Sequence, residues 1–338
     1  MKDKDKVLYC FVLFLLVFGC VCFASAQPQD IAKHLLLKAG ITKGICSLPD
    51  CGDGSLAVAV ARQSDFLVHG QDTDLSLLDK ARKAADKEGL LGKTVVVEKG
   101  SVSELFYTDN LVDLVLLTNL TDSTLKDVSL KEILRVLRPK GKAILGHASE
   151  SAGVLTVKNL ERLFIDSKIK NVDISEDAYG IWAVITKPAL KGVDSWSHWA
   201  HGPDNNPVST DTVIKWPYMT QWMAKPYYVT KPVVTTAAGG RTFTATGHIV
   251  RYPDGHGHKR ESPTMLLLTA RNGYNGRVLW TRKFPEGYVV HRSAFVATND
   301  TFYMIDGNGC LMLDPETGEK KGRIQISDIE GEWRWIAL

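Results

Sequence analysis

The chain has 338 residues, 44% of them hydrophobic and 23% charged, and a formal net charge of +3. That length suggests about two domains, and the composition excludes a disordered or fibrous chain. With so small a net charge, no block of like charges and no basic stripe interleaved with aromatics, no nucleic-acid partner is expected.

Residues 1–26 stand apart. "MKDKDK" carries three lysines, "VLYCFVLFLLVFGCVCF" is an apolar run, and Ala24 and Ala26 place small residues after it. This is the order of a secretory signal cut after Ala26, so an exported protein, periplasmic or extracellular, is expected, with no membrane contact after cleavage. An uncleaved N-terminal anchor is the alternative, because the run is near the lower length of a membrane span. Cys10, Cys20 and Cys22 lie in this segment; Cys46, Cys51 and Cys310 remain, an odd count that gives no disulfide framework. Cys46 and Cys51 either pair in an oxidising compartment or are small buried side chains around a turn.

From Asp30 to Pro188, short apolar runs alternate with helical patterns. "IAKHLLLKAG" reads as a helix ending near Gly40, "KGICSL" as a strand, and "SLAVAVAR" as a helix beginning beside Gly54. "DFLVHGQD" is a second strand, "DLSLLDKARKAADKEG" a helix closed by Gly89, "KTVVVEKG" a third strand and "LVDLVLLTN" a fourth, fully apolar one. "LKEILRVLR" is an amphipathic helix stopped by Pro139, "KAILGHA" a fifth strand and "VKNLERLFIDSK" a further helix. "NVDISED" and "GIWAVITKP" are too close together for a helix between them and should form an antiparallel hairpin. The expected fold of 27–188 is therefore α/β, a doubly wound and mostly parallel sheet.

Beyond it the texture changes. Residues 189–215, with "GVDSWSHWAHGPDNNPVSTD", are rich in turn formers and read as a linker. Residues 216–338 form β-rich segments joined by Gly, Asn and Asp turns. "LLLTARNGYNGRVLW" and "CLMLDPETGEKKG" share one unit, strand, polar turn, Gly, strand, with Gly276 and Gly318 at equivalent places 42 residues apart. Such a spacing suits one blade of a β-propeller, and two blades are too few to close one, so the chain is expected to be a fragment of a longer protein.

Two features point to chemistry. Gly52 and Gly54 in "PDCGDGSLAVAVA" fall between the first strand and the next helix, at the carboxyl edge of the sheet, where open α/β folds bind ligands. Glycine there lets a backbone approach a nucleoside, and the helix start offers free N–H groups. Twenty residues past Gly52, Asp72 ends the second strand, where a carboxylate can accept hydrogen bonds from ribose hydroxyls.

With "DNLVDLVLL" and the turn after a regular helix, Leu134 to Gly141, this region resembles the class I S-adenosylmethionine-dependent methyltransferases. The resemblance implies a seven-stranded, Rossmann-like sheet and S-adenosylmethionine as cofactor. It places the cofactor-binding residues at Asp50, Cys51, Gly52, Gly54, Asp72, Thr73, Ser101, Val102 and Asn119. Leu48 stands where the family has an acid and Asp50 where it has the first glycine; Gly100-Ser101 replaces the acid often found after the third strand. No acceptor motif is visible, so the catalytic residues and the acceptor, small molecule or macromolecule, stay unassigned. The β-rich region resembles the PQQ-like propellers, whose repeat runs Ala-x-Asp-x-x-x-Gly-x-x-x-Trp. Ala270 to Trp280 follows it with Asn272 for the Asp, and Gly322 stands where the second Trp should be. Such a partial propeller would hold a partner or substrate, and PQQ itself is not expected in this segment. The alternatives are a non-catalytic scaffold with a degenerate nucleotide fold, or a quinoprotein oxidoreductase with its active blades beyond residue 338.

No metal site is expected. His248, His256 and His258 read as a solvated turn rather than as ligands, His198 and His201 as docking residues, and Asp113 and Glu132 as sheet-edge and helix-surface residues.

Overall fold

The computed structural model describes residues 27–148, 155–224, 234–246, 250–253, 259–262, 267–284, 288, 290–325, 331 and 333–338. The expected signal segment and His248, His256 and His258 lie outside the described residues. No described helix is long and apolar enough to cross a membrane.

In the first unit, α1 (Pro28–Ala39) starts on a proline and ends at Gly40, whose φ of 62° is the left-handed cap glycine favours. β1 (Lys43–Pro49) leads through the glycine loop into α2 (Ser55–Arg62) and β2 (Asp65–Asp72). α3 (Leu75–Lys87) is capped by Asp74, whose side chain accepts from the N–H groups of Ser76 and Leu77. β3 (Val95–Lys99) and the fully buried β4 (Val112–Leu117) follow, then α4 (Leu130–Val136), β5 (Leu137–Ala148), α5 (Val157–Asp166), β6 (Val172–Asp177) and β7 (Gly180–Thr186). One seven-stranded sheet results, in the order β3-β2-β1-β4-β5-β7-β6. The first five strands pair in parallel; β7 runs antiparallel to β6, as the short "AYG" connection requires, and also to β5. One face of the sheet buries Leu35, Val60, Phe66, Leu78 and Trp182; the other buries Val115, Leu117, Ile133, Leu145 and Phe164.

Around Pro139 the sequence expectation needs amending. The helix ends at Val136, and β5 begins at Leu137 rather than at Lys142, so Pro139 lies inside the strand. A residue before proline is pushed out of the helical region, which sends Arg138 into extended backbone early. Lys140 then takes φ 63°, and the β4–β5 register slips between Val112 and Leu114.

Residues 187–224 carry no helix or strand, yet they are fastened. Asp194 accepts from His201 Nε2 (2.7 Å), Ser209 Oγ (3.0 Å) and Thr210 N (2.7 Å). His198 is buried beside Ser197, and Trp196 pairs with Ala237.

The C-terminal region forms two four-stranded antiparallel sheets. The first consists of β8 (Val234–Ala238), β9 (Arg241–Thr246), β12 (Leu267–Asn272) and β13 (Val278–Lys283), with a hairpin of β10 (Val250–Pro253) and β11 (Lys259–Ser262) inserted after its second strand. The second runs in chain order through β14 (Phe295–Ala297), β15 (Phe302–Asp306), β16 (Gly309–Leu313) and β17 (Lys320–Gln325). The shared unit read from the sequence is the hairpin joining the last two strands of each sheet. In the first, Gly276 N donates to Asn272 O (2.9 Å) and Asn272 N to Arg277 O (2.9 Å); in the second, Gly318 N donates to Asp314 O (2.9 Å) and Asp314 N to Glu319 O (2.8 Å). Gly276 and Gly318 have φ 72° and 74°, which only glycine adopts without strain. A tryptophan roofs each turn: Trp222 Nε1 donates to Gly273 O (3.0 Å) and Trp280 Nε1 to Pro315 O (3.2 Å).

The two units meet at Asp113. This residue is not at a sheet edge in solvent: its side chain is 1% exposed at the amino end of the central strand. Its carboxylate pairs with Arg138 and accepts from Ile45 N (2.8 Å), Asn272 Nδ2 (2.9 Å) and Asn275 Nδ2 (2.7 Å). Gly44 makes room for it, since a Cβ there would lie 2.0 Å from Asp113 Oδ2. An aspartate at 272 would set two carboxylates together in a buried place, which explains the asparagine.

Candidate functional site

The carboxyl ends of β1 and β4 open onto a cavity of about 320 Å³. Its floor is the loop between β1 and α2. Asp50 (φ 59°), Gly52 (φ 57°) and Gly54 (φ 82°) all adopt left-handed backbone there, folding Pro49–Ser55 into a tight cradle. Asp72 holds it in place: Gly52 N donates to Asp72 Oδ2 (3.0 Å), and Asp74 N to Asp72 Oδ1 (2.9 Å). Cys51 N donates to Gln71 O (2.9 Å), and Asn119 Nδ2, from the end of β4, to Asp50 O (3.1 Å).

The two glycines do different work. A Cβ at Gly52 would meet only Asn119 Nδ2, at an ordinary contact distance of 3.9 Å, so little covers the backbone there on the cavity side. A Cβ at Gly54 would lie 2.7 Å from Ala81 Cα, so that glycine exists to let α2 and α3 pack closely.

Of the residues expected to bind a cofactor, Asp50, Cys51, Gly52 and Asn119 line the cavity. Asp72 reaches it through the loop: it is 4% exposed and gives one oxygen to each of two backbone N–H groups. Gly54, Thr73, Ser101 and Val102 are not in the lining; Ser101 bonds Ser103 instead (2.8 Å). The sequence reading missed Pro28 and Ile31 at the start of α1, together with Asp53, Ser55, Leu116, Thr118 and Ala148. Leu116 lies in β4 and Thr118 just after it, two residues apart on one face, and that period of two was the available signal; nothing in the sequence brings α1 across to the loop.

The electrostatics are acidic. Burial, and then the neighbouring Asp72, raise the carboxyl of Asp50 above its ordinary value. Burial, with Asp72 and Asp50 adding to it, pushes the Cys51 thiol up to about 12, so it is no thiolate nucleophile. Cys46 and Cys51 are separate free thiols, both buried, and the pairing considered from the sequence does not occur. Among the described residues no group of three or more His, Cys, Asp or Glu side chains is arranged to hold a metal.

Beside Asp72, the side-chain amide of Gln71 is fully buried with no partner among the described residues. An unpaired buried amide costs about 1–3 kcal/mol. Replacing Gln71 by Met, similar in volume and apolar, is therefore expected to leave the melting temperature unchanged or raise it. Thermal unfolding by circular dichroism measures this, and a clear loss of stability would mean the amide is paired.

Residues 50–141, which contain the loop, Asp72 and Asn119, match the family model of a methyltransferase domain. No curated protein matches the chain. Among solved structures, a putative S-adenosylmethionine-dependent methyltransferase from Methanococcus maripaludis is 22% identical, over 51% of this chain and 90% of that one, with a TM-score of 0.44. A methyltransferase from Aquifex aeolicus, described as dependent on the same cofactor, is 20% identical over 46% and 89%, with a TM-score of 0.39. A geranyl diphosphate methyltransferase solved with S-adenosylmethionine is 13% identical over 48% and 85%, with a TM-score of 0.38.

Proposed function

We propose that the methyltransferase-like unit binds S-adenosylmethionine over Gly52 and transfers its methyl group. The observation that carries this reading is the open cradle at Gly52, fixed by the strand-terminal Asp72 and lying within the residues that match the methyltransferase domain. The residues suit an adenosine group. Gly52 presents its backbone to the cavity, and Asp72, from behind the loop, fixes that backbone by accepting from Gly52 N. The acidic lining suits a cationic ligand. When bound, the cofactor supplies an electrophilic methyl on a sulfonium. This chain's part is to hold the adenosine and align the acceptor.

Calorimetric titration of the full chain with S-adenosylmethionine tests the proposal. Saturable binding is expected, and Asp72→Ala should weaken it about ten- to a hundredfold, because the loop loses the charge-assisted hydrogen bond that holds Gly52. Absence of binding by the unaltered protein would leave the second reading, a scaffold with a degenerate nucleotide fold. That reading has its own observation: Asp72 is nearly buried and holds backbone, and Asp50 projects a carboxyl without a hydrogen-bond partner among the described residues.

The two four-stranded sheets are taken as successive blades of a PQQ-like propeller. The equivalent turns of Gly276 and Gly318, each roofed by a tryptophan, support this. Because the β region docks at Asp113, at the opposite end of the sheet from the cavity, its role is to bind a partner rather than to cover the cofactor. The lysine-apolar-small order of residues 1–26 supports export.

A further inference from the structure

The seam between the two units holds a cleft of about 550 Å³ at the amino edge of the sheet, well within the size of small-molecule sites. Lys43, Arg138, Lys140, Lys142 and Arg241 line it, against Asp65 and Glu316. Most of these charges are already matched. Lys43 pairs with Asp65 (3.4 Å) and donates to Leu279 O (3.0 Å). Arg138 is spent on Asp113, and Arg241 Nη1 bonds Glu316 (2.9 Å). What remains are the ammonium groups of Lys140 and Lys142, neither with a partner among the described residues; Arg241 is held by Glu316 and by Asn299 O, and its Nε is buried.

The main opposing charge is the carboxyl end of α1, close to which Lys142 Nζ sits, 3.9 Å from where a Cβ on Gly40 would be. A helix terminus amounts to about half a unit of negative charge, which leaves most of two lysines uncompensated. The concave wall strengthens that field at Lys142, which is half-buried, while Lys140 is exposed at the rim. The turn at Gly239 and Gly240, both at positive φ, lies on the same wall, packed against Arg241, Asn299 and Tyr274.

We propose that this inter-unit cleft binds a small multivalent anion, one carrying two or more phosphate or carboxylate charges, between Lys140 and Lys142. The site is separate from the Gly52 cavity and does not depend on the function proposed for it.

Calorimetric titration of the full chain, at fixed ionic strength, with inorganic pyrophosphate and separately with citrate tests this. One saturable site is expected for at least one of the two, and which one binds tells phosphate from carboxylate chemistry. In the double variant Lys140→Asn, Lys142→Gln the affinity should fall roughly tenfold or more, a loss of about 1.4 kcal/mol or more. Asparagine tolerates the positive φ at 140, and glutamine keeps the bulk at 142, so the fold is retained. Lys83→Gln with Lys87→Gln, exposed on α3, is the control and should change nothing. No saturable binding of either anion, or an equal loss in the control, overturns the proposal.

Discussion

Asp113→Ala is expected to lower the free energy of unfolding by about 3–5 kcal/mol, the usual loss when one partner of a buried ion pair is removed. The carboxylate is almost fully buried and serves Arg138, Ile45 N, Asn272 and Asn275 together. Without it, Arg138 keeps an unpaired charge in a largely buried place, and two asparagine amides lose their acceptor. Because those amides belong to the β region and Ile45 to β1, the loss should appear in both units at once. Chemical denaturation followed by far-UV and near-UV circular dichroism measures it. A loss below about 1 kcal/mol would show that solvent reaches Asp113 and that the junction carries little of the stability.

Trp280→Ala is expected to cost about 3 kcal/mol, at the low end for a tryptophan truncation because the ring is only partly buried. The indole lies against Phe243 (centroids 6.0 Å) and Phe302 (6.2 Å), and roofs the Gly318 turn of the next sheet. It therefore joins two sheets, and its loss should loosen the second sheet without touching the cavity at Gly52. Hydrogen exchange distinguishes this from Asp113→Ala: protection should fall in β14–β17 and persist in β1–β5. Equal loosening throughout would mean that the β region has no boundary between its two sheets.

These effects divide along what was legible in the sequence. The strands and helices of 27–188 were readable because their determinants are local. β4 is apolar apart from Asp113 near its start, Gly40 follows the last turn of α1, and too few residues separate β6 from β7 for a crossover. The turns at Gly276 and Gly318 were readable for the same reason, since each needs a left-handed glycine four residues after an acceptor side chain. The end of α4 was misplaced because the effect of Pro139 acts on the residues before it.

The site was only partly legible. Spacing alone put Asp72 opposite Gly52, and the two residues do meet. Spacing could not say that Asp72 would be buried and bound to backbone, that Gly54 would answer to Ala81, or that the start of α1 would close the cavity. Asp113 was misread for the same reason: in sequence it is an acid at the edge of an apolar run. Its asparagine partners lie 159 and 162 residues away, and nothing local records them. Periodicity and turn chemistry, which act over a few residues, thus fixed the elements and the order of the loop and acid. The junction, the lining of the cavity and the lysine cleft came only with the fold, because burial and charge compensation depend on groups that the chain brings together from far apart.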